Sequence, residues 1–134
     1  MAYMDQEKKA EINKLLKQAI PAEWKWTLGV RHYSTIVLTI TAAPVDLLTK
    51  YIERESAVSD DIRQETEASR YIDVNPYHWR EHFTGDLLVT FGAIFAALNL
   101  NNHDNSDIQT DYFDVGHYVN VKIGKWDKPF QVLP

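Results

Sequence analysis

Residues 24–41, WKWTLGVRHYSTIVLTIT, carry the pattern that decides the fold class. In the first half, every second residue is large and apolar: Trp24, Trp26, Leu28 and Val30. A β-branched run follows at 35–41. Such alternation is typical of half-buried strands, because successive side chains point to opposite faces of a sheet. The stretch therefore predicts a β-hairpin that turns near residues 32–34.

Helical patterns lie on both sides of this hairpin. Residues 5–20 show apolar side chains at helical spacing, with Asp5 as the expected cap and Pro21 as the stop. A short helix is expected at 44–54. Residues 87–100 repeat apolar side chains at helical spacing with almost no polar face, which predicts a largely buried helix.

Two further strands complete the expected sheet. Residues 71–74 alternate before Asn75 and Pro76, and residues 118–123 alternate before Gly124. The order α-β-β-α-β-α-β predicts an α+β fold, with a mainly antiparallel sheet of about four strands backed by helices.

Residues 53–69 are charged and lack a sustained apolar stripe, so they predict a mobile loop with at most one helical turn. The length of 134 residues suits one core, which predicts a single globular domain over 1–134.

Charge and hydropathy exclude several classes of function. The net charge of −5 is spread over both halves, so direct nucleic-acid binding is not expected. The longest uncharged apolar stretch is shorter than the roughly 20 residues that cross a bilayer, so no membrane span is expected. Cysteine is absent, and the scattered glycines form no phosphate-binding loop. These features favour a non-enzymatic protein that has no cofactor.

The clearest charge feature is an acidic run inside a gap without Lys or Arg, which extends from Arg80 to Lys122. Within it, HDNSDIQTDYFDVGHY (103–118) contains Asp104, Asp107, Asp111 and Asp114. Four uncompensated carboxylates in one segment need a metal, a basic partner or open water.

Three interpretations of these aspartates stay open: a metal site of another kind than the EF-hand, a binding surface and ordinary capping. A calcium loop of the EF-hand kind needs alternating acidic ligands and a glycine at its turn, and this spacing of 3, 4 and 3 does not match it. If the segment is helical, the spacing aligns all four carboxylates on one side, as a strip that binds a basic protein surface. In the third interpretation, the aspartates cap turns and bond to nearby backbone N–H groups.

A second motif carries metal chemistry. His78, Glu81 and His82 match H-x-x-E-H, the inverted zincin pattern, in which two histidines on a helix bind zinc and the glutamate polarises its water. No glutamate follows Glu81 to complete the ligand set, so an aspartate or His103 would have to serve. The alternative is a packing role for these histidines beside Tyr77, Trp79 and Phe83. The three motif residues are therefore weak candidates for a metal site.

Three stretches carry a resemblance to known sequences: RHYSTIVLTI (31–40), YIDVNPYHWREHFTGDLL (71–88) and DNSDIQTDYFDVGHYVNVKIGKWDKPF (104–130). Together they resemble a family of small, mostly uncharacterised proteins of bacteriophages, prophages and other mobile elements. The resemblance implies an accessory protein of the bacterial host cytoplasm, and by analogy a counter-defence inhibitor such as an anti-CRISPR or anti-restriction protein. It implies no catalytic residues.

The leading hypothesis is a protein-binding module that uses Asp104, Asp107, Asp111 and Asp114 against a basic surface on a host or phage protein. One alternative is a metal-dependent hydrolase built on the H-x-x-E-H motif. Another is a homo-oligomeric structural module whose aromatic strands pair edge to edge.

Overall fold

A computed structural model describes residues 4–52, 60–74, 79–100 and 117–134. Within these ranges the chain forms helices packed on one mixed sheet, which confirms the α+β class. The elements in chain order are α1 Gln6–Ala19, β1 Lys25–Arg31, β2 Thr35–Ala43, α2 Leu47–Ile52, α3 Asp60–Ser69, β3 Ile72–Val74, a 3₁₀ turn Trp79–Glu81, α4 Gly85–Leu98, β4 Tyr118–Ile123 and β5 Gln131–Val132.

Helix α1 begins and ends where the sequence predicts. The Asp5 side chain accepts a hydrogen bond of 2.6 Å from the Lys8 N–H, which satisfies one of the free donors of the first turn. Ile12 and Leu16 face the core and are fully buried. The helix ends at Ala19, two residues before Pro21.

The sheet has the strand order β1-β2-β4-β3, with β5 paired to the end of β2. The β1–β2 pair is antiparallel, as the predicted hairpin requires, and the β3–β4 pair is also antiparallel. The central strands β2 and β4 are parallel instead, with Thr35 opposite Tyr118 and Ile40 opposite Ile123. The β2–β5 pair is also parallel. A parallel pair needs a long connection, which here runs through α2, α3, β3 and α4.

The β1–β2 hairpin turns at the predicted residues. His32 and Tyr33 have φ angles of 55° and 61°, and the Ser34 N–H donates to the Arg31 carbonyl at 3.3 Å. Because Arg31 pairs with Thr35, residues 32–34 connect the two strands. Glycine and asparagine are the usual residues in the left-handed region, so His32 and Tyr33 are uncommon choices there.

One hydrophobic core lies between the sheet and the helices. Its sheet side is formed by fully buried residues of β2 and β4: Ile36, Leu38, Ile40, Val121 and Ile123. On the helix side, Phe83 stacks on Phe91 with ring centroids 4.1 Å apart. Trp79 stacks on Phe95 at 5.0 Å, so aromatic pairs join the segment before α4 to α4 itself.

Two expectations need correction. The prediction of a loop at 53–69 is wrong for residues 60–69, which form helix α3. Residues 53–59 lie outside the described residues. Helix α3 buries Thr66 and exposes Glu65 and Glu67. Its sequence, DDIRQETEAS, has no sustained apolar stripe from which a helix could be predicted. Helix α4, expected to be largely buried, has an exposed side on which Val89 is 74% accessible.

Asp46 and Arg70 tie the start of α2 to the end of α3. Arg70 lies in the left-handed region at φ 61°, and its Nη2 is 3.2 Å from Asp46 Oδ1. Burial raises the pKa of Asp46, but hydrogen bonds from the Thr49 hydroxyl and backbone N–H, together with Arg70, outweigh it and leave this pKa below its ordinary value.

Gly124 ends β4 in a position that only glycine fits. Its φ is 72°, and a Cβ atom there would lie 2.7 Å from both the Arg70 carbonyl oxygen and the Phe130 nitrogen. These two atoms are themselves joined by a hydrogen bond of 2.8 Å from the Phe130 N–H. The missing side chain therefore lets the segment around Phe130 pack against Arg70.

Candidate functional site

The acidic segment enters and leaves the described structure at two neighbouring points. Asp104, Asp107, Asp111 and Asp114 themselves lie outside the described residues. The chain before them is described up to Leu100, just after α4, and it resumes at His117, just before β4. In the chain, the predicted binding site is therefore flanked by the end of α4 and the start of β4.

A buried histidine joins these two ends. The His117 Nε2–H donates to the Leu98 carbonyl oxygen across 2.6 Å, and His117 is only 1% exposed. A carbonyl can only accept, so the Nε2 atom carries the proton. The Leu98 carbonyl belongs to the last turn of α4, where helix geometry leaves carbonyl groups in need of partners outside the helix. His117 therefore satisfies a helix end and fixes both ends of the segment 101–116 in one place.

The start of β4 also lies beside the hairpin turn. The Tyr118 N–H donates to the Ser34 carbonyl at 2.9 Å, next to the parallel β2–β4 pair. Tyr33 is 79% exposed and Tyr118 is 51% exposed. Arg31 and His32 are exposed as well. We call Arg31, His32, Tyr33 and Tyr118 the tip surface.

The tip surface is held firmly from the other side of the turn. The left-handed backbone of Tyr33 directs its carbonyl to the Met4 N–H, which donates across 2.7 Å. Met4 is buried, so the residue before Asp5 and α1 anchors the turn to the core. Exposed tyrosines on a fixed backbone are well suited to binding, because they bring large contact area and a hydroxyl with few rotatable bonds.

The H-x-x-E-H motif has a different environment. Residues 79–81 form a 3₁₀ turn, Glu81 is exposed, and His82 is 7% exposed. The His82 Nδ1–H donates to the Tyr51 carbonyl at 2.8 Å, and its ring stacks on the Tyr51 ring at 3.8 Å. His82 thus packs the turn against α2.

His78 lies outside the described residues, so the metal hypothesis keeps only two members that can be located. In the described ranges, no group of three or more His, Cys, Asp or Glu residues is placed to hold a metal ion. Across the same ranges, no helix is both long and apolar enough to span a membrane.

The sequence interpretation missed the anchoring role of His117 and the exposed tyrosine pair. The alternation of β4 in the sequence predicts which face of the sheet His117 and Tyr118 each occupy. Residues 117, 119, 121 and 123 share one face, and Val121 and Ile123 of that face are fully buried. The same alternation directs Tyr118 to the opposite face.

Comparison with known proteins gives no relative: no family model, no curated protein and no solved structure matches this chain. The described elements, helices packed on one mixed sheet, place the chain in the α+β class.

Proposed function

We propose that this chain is a non-enzymatic protein-binding module that presents Asp104, Asp107, Asp111 and Asp114 to a basic surface of a partner protein. The supporting observation is the hydrogen bond from His117 to Leu98, which holds both ends of the acidic segment at one place. Fixing the ends of a binding segment lowers the conformational entropy that is lost when a partner binds.

Tyr33 and Tyr118 of the tip surface supply the neutral part of the proposed interface. Protein interfaces are enriched in tyrosine at their centre and keep most charged residues at their rim. Both tyrosines are exposed beside the point where the acidic segment returns to the sheet. In this proposal the aspartates accelerate encounter with a basic partner, and the tyrosines provide contact area after docking.

The partner that suits this charge distribution best is a protein with a positively charged nucleic-acid channel. Together with the resemblance to mobile-element proteins, this favours a counter-defence inhibitor of a CRISPR or restriction complex in the bacterial cytoplasm. An inhibitor of this kind occupies the basic channel in place of the nucleic acid.

The test is a capture experiment from bacterial lysate with three forms of the protein. The first is wild type, and the second replaces the four aspartates by asparagine. The third is a matched control that removes four exposed charges elsewhere, by Glu7→Gln, Glu11→Gln, Glu65→Gln and Glu67→Gln. We expect wild type and the control to recover the same partner and the four-asparagine form to lose it. Equal recovery by all three forms would refute the acidic interface.

A further inference from the structure

A second, oppositely charged surface lies on the β1 edge of the sheet. Between α1 and β1 there is an open groove with a volume of about 800 Å³. Trp26 and Leu28 of β1 form its floor, and Lys9, Asn13 and Lys17 of α1 form its wall. A volume of this size is in the range of ligand-binding clefts, which is roughly 300–1,000 Å³.

The groove exists because β1 lies beyond the part of the sheet that the helices cover. The inward residues of β2 are fully buried, whereas Trp26, Leu28 and Val30 of β1 are only half-buried although they point to the same face. Helix α1 packs on α4. The inner face of β1 is consequently an apolar ledge that is open on one side.

The charged side chains that line this groove, Lys9 and Lys17, are both positive. Lys9 and Lys17 lie two turns apart on α1, and no carboxylate is among the described residues that line the groove. Neither lysine has an ion-pair partner in the described part of the chain. This charge favours an occupant that carries negative charge.

Strand β1 also offers an unpaired backbone edge. Within the described ranges, β1 pairs only with β2, so the backbone N–H and C=O groups of residues 26–30 that point away from β2 have no strand partner. Such an edge binds an extended peptide as an additional strand. A second copy of this chain is disfavoured as the peptide, because antiparallel self-pairing centred on Leu28 would place Lys25 opposite Arg31.

We propose that the groove binds an extended acidic peptide of a partner protein, which adds to β1 as a strand. Its inward residues are glutamate or aspartate: the carbon stems cover Trp26 and Leu28, and the carboxylates reach Lys9 and Lys17. This surface is independent of the acidic segment and lies at a different part of the fold, so the two binding activities are separable.

The test uses ¹⁵N-labelled protein and an acetylated heptapeptide of alternating glutamate and threonine, with a lysine–threonine peptide as the charge-reversed control. At low ionic strength we expect the acidic peptide to shift the amide signals of β1 and to slow hydrogen exchange on its free edge. The basic peptide is expected to produce neither effect. No binding of the acidic peptide would overturn the proposal, and so would binding without slower exchange in β1.

Two double variants distinguish binding in the groove from an effect of the protein's net charge alone. The double variant Lys9→Glu, Lys17→Glu is expected to bind the acidic peptide about tenfold more weakly than wild type. Lys14→Glu with Lys128→Glu makes the same change in net charge at exposed positions outside the groove and is expected to change the affinity less than about twofold. Thermal melts confirm that both variants fold. Equal losses in the two variants would contradict the assigned site.

Discussion

The His117 imidazole donates a hydrogen bond of 2.6 Å to the Leu98 carbonyl and thereby closes the chain across the ends of the acidic segment. The relationship joins the last turn of α4 to the first residue before β4. Because β4 is a central strand, this contact ties the segment to the most buried part of the sheet.

Replacement of His117 by phenylalanine should destabilise the fold while keeping most of the side-chain volume. The Leu98 carbonyl then loses its donor inside the protein, which costs about 1–3 kcal/mol. Urea denaturation at neutral pH measures the change in the free energy of unfolding. A loss below about 0.5 kcal/mol would show that the hydrogen bond contributes little, and the His117→Ala variant should lose more because it also leaves a cavity.

Gly124 and Gly29 form a matched pair for testing backbone constraints. Gly124→Ala should be strongly destabilising, because the new Cβ meets two backbone atoms at 2.7 Å and a positive φ alone costs about 1–2 kcal/mol. Gly29 lies in β1, and a Cβ atom added there would meet no neighbouring side chain or strand within 4 Å, so Gly29→Ala should be neutral or slightly stabilising. Thermal melts of both variants compare them directly, and similar losses would contradict this difference.

The ion pair between Asp46 and Arg70 predicts a pH-dependent contribution to stability. The pKa of Asp46 is lower in the folded protein than in the unfolded chain, so the carboxylate stabilises the fold above the unfolded pKa of about 3.9. This contribution is lost as the pH falls through the lower folded pKa. Asp46→Asn keeps a capping side chain but removes the charge.

We therefore expect Asp46→Asn to be less stable than wild type at pH 7, by less than about 1 kcal/mol because both groups are partly exposed. The difference in stability should begin to shrink as the pH falls below about 4, and the two proteins should converge once the pH is below the folded pKa of Asp46. Denaturation curves across this pH range provide the measurement. A difference that stays constant down to about pH 2 would exclude the carboxylate as its source.

The packing of His82 on Tyr51 predicts how the protein responds to zinc. The Nδ1 atom of His82 is engaged with the Tyr51 carbonyl, so its contribution to the fold needs no metal. We expect protein purified without a histidine tag to show no thermal shift on addition of zinc. Near-stoichiometric zinc by elemental analysis, or a shift that His82→Ala abolishes, would favour the hydrolase alternative.

Local signals allow most of the fold to be predicted from sequence. Asp5 and Pro21 delimit α1 through short-range capping and backbone effects, and the alternation at 24–41 specifies the hairpin without reference to distant residues. Helix α3 escapes such a prediction because its sequence has no sustained apolar stripe. Arg70, which follows its last residue, forms an ion pair with Asp46, 24 positions earlier in the chain.

The other features that the sequence does not predict depend on pairing between distant strands. Nothing local in β2 or β4 distinguishes a parallel partner from an antiparallel one, and β5 is only two residues long. The candidate site is predictable in part: the alternation of β4 places His117 inward and Tyr118 outward. That Leu98 accepts the hydrogen bond from His117 depends on how α4 packs, which the sequence pattern does not determine.

The acidic-segment proposal is tested most directly by the association rate of the captured partner at several salt concentrations, measured for wild type, the four-asparagine variant and the four-glutamine control. We expect wild type and control to associate rapidly at low salt and to slow steeply as salt rises. The four-asparagine variant should associate about tenfold or more slowly at low salt and respond weakly to salt. Association of the four-asparagine variant at the wild-type rate, with the wild-type salt dependence, would contradict the proposal.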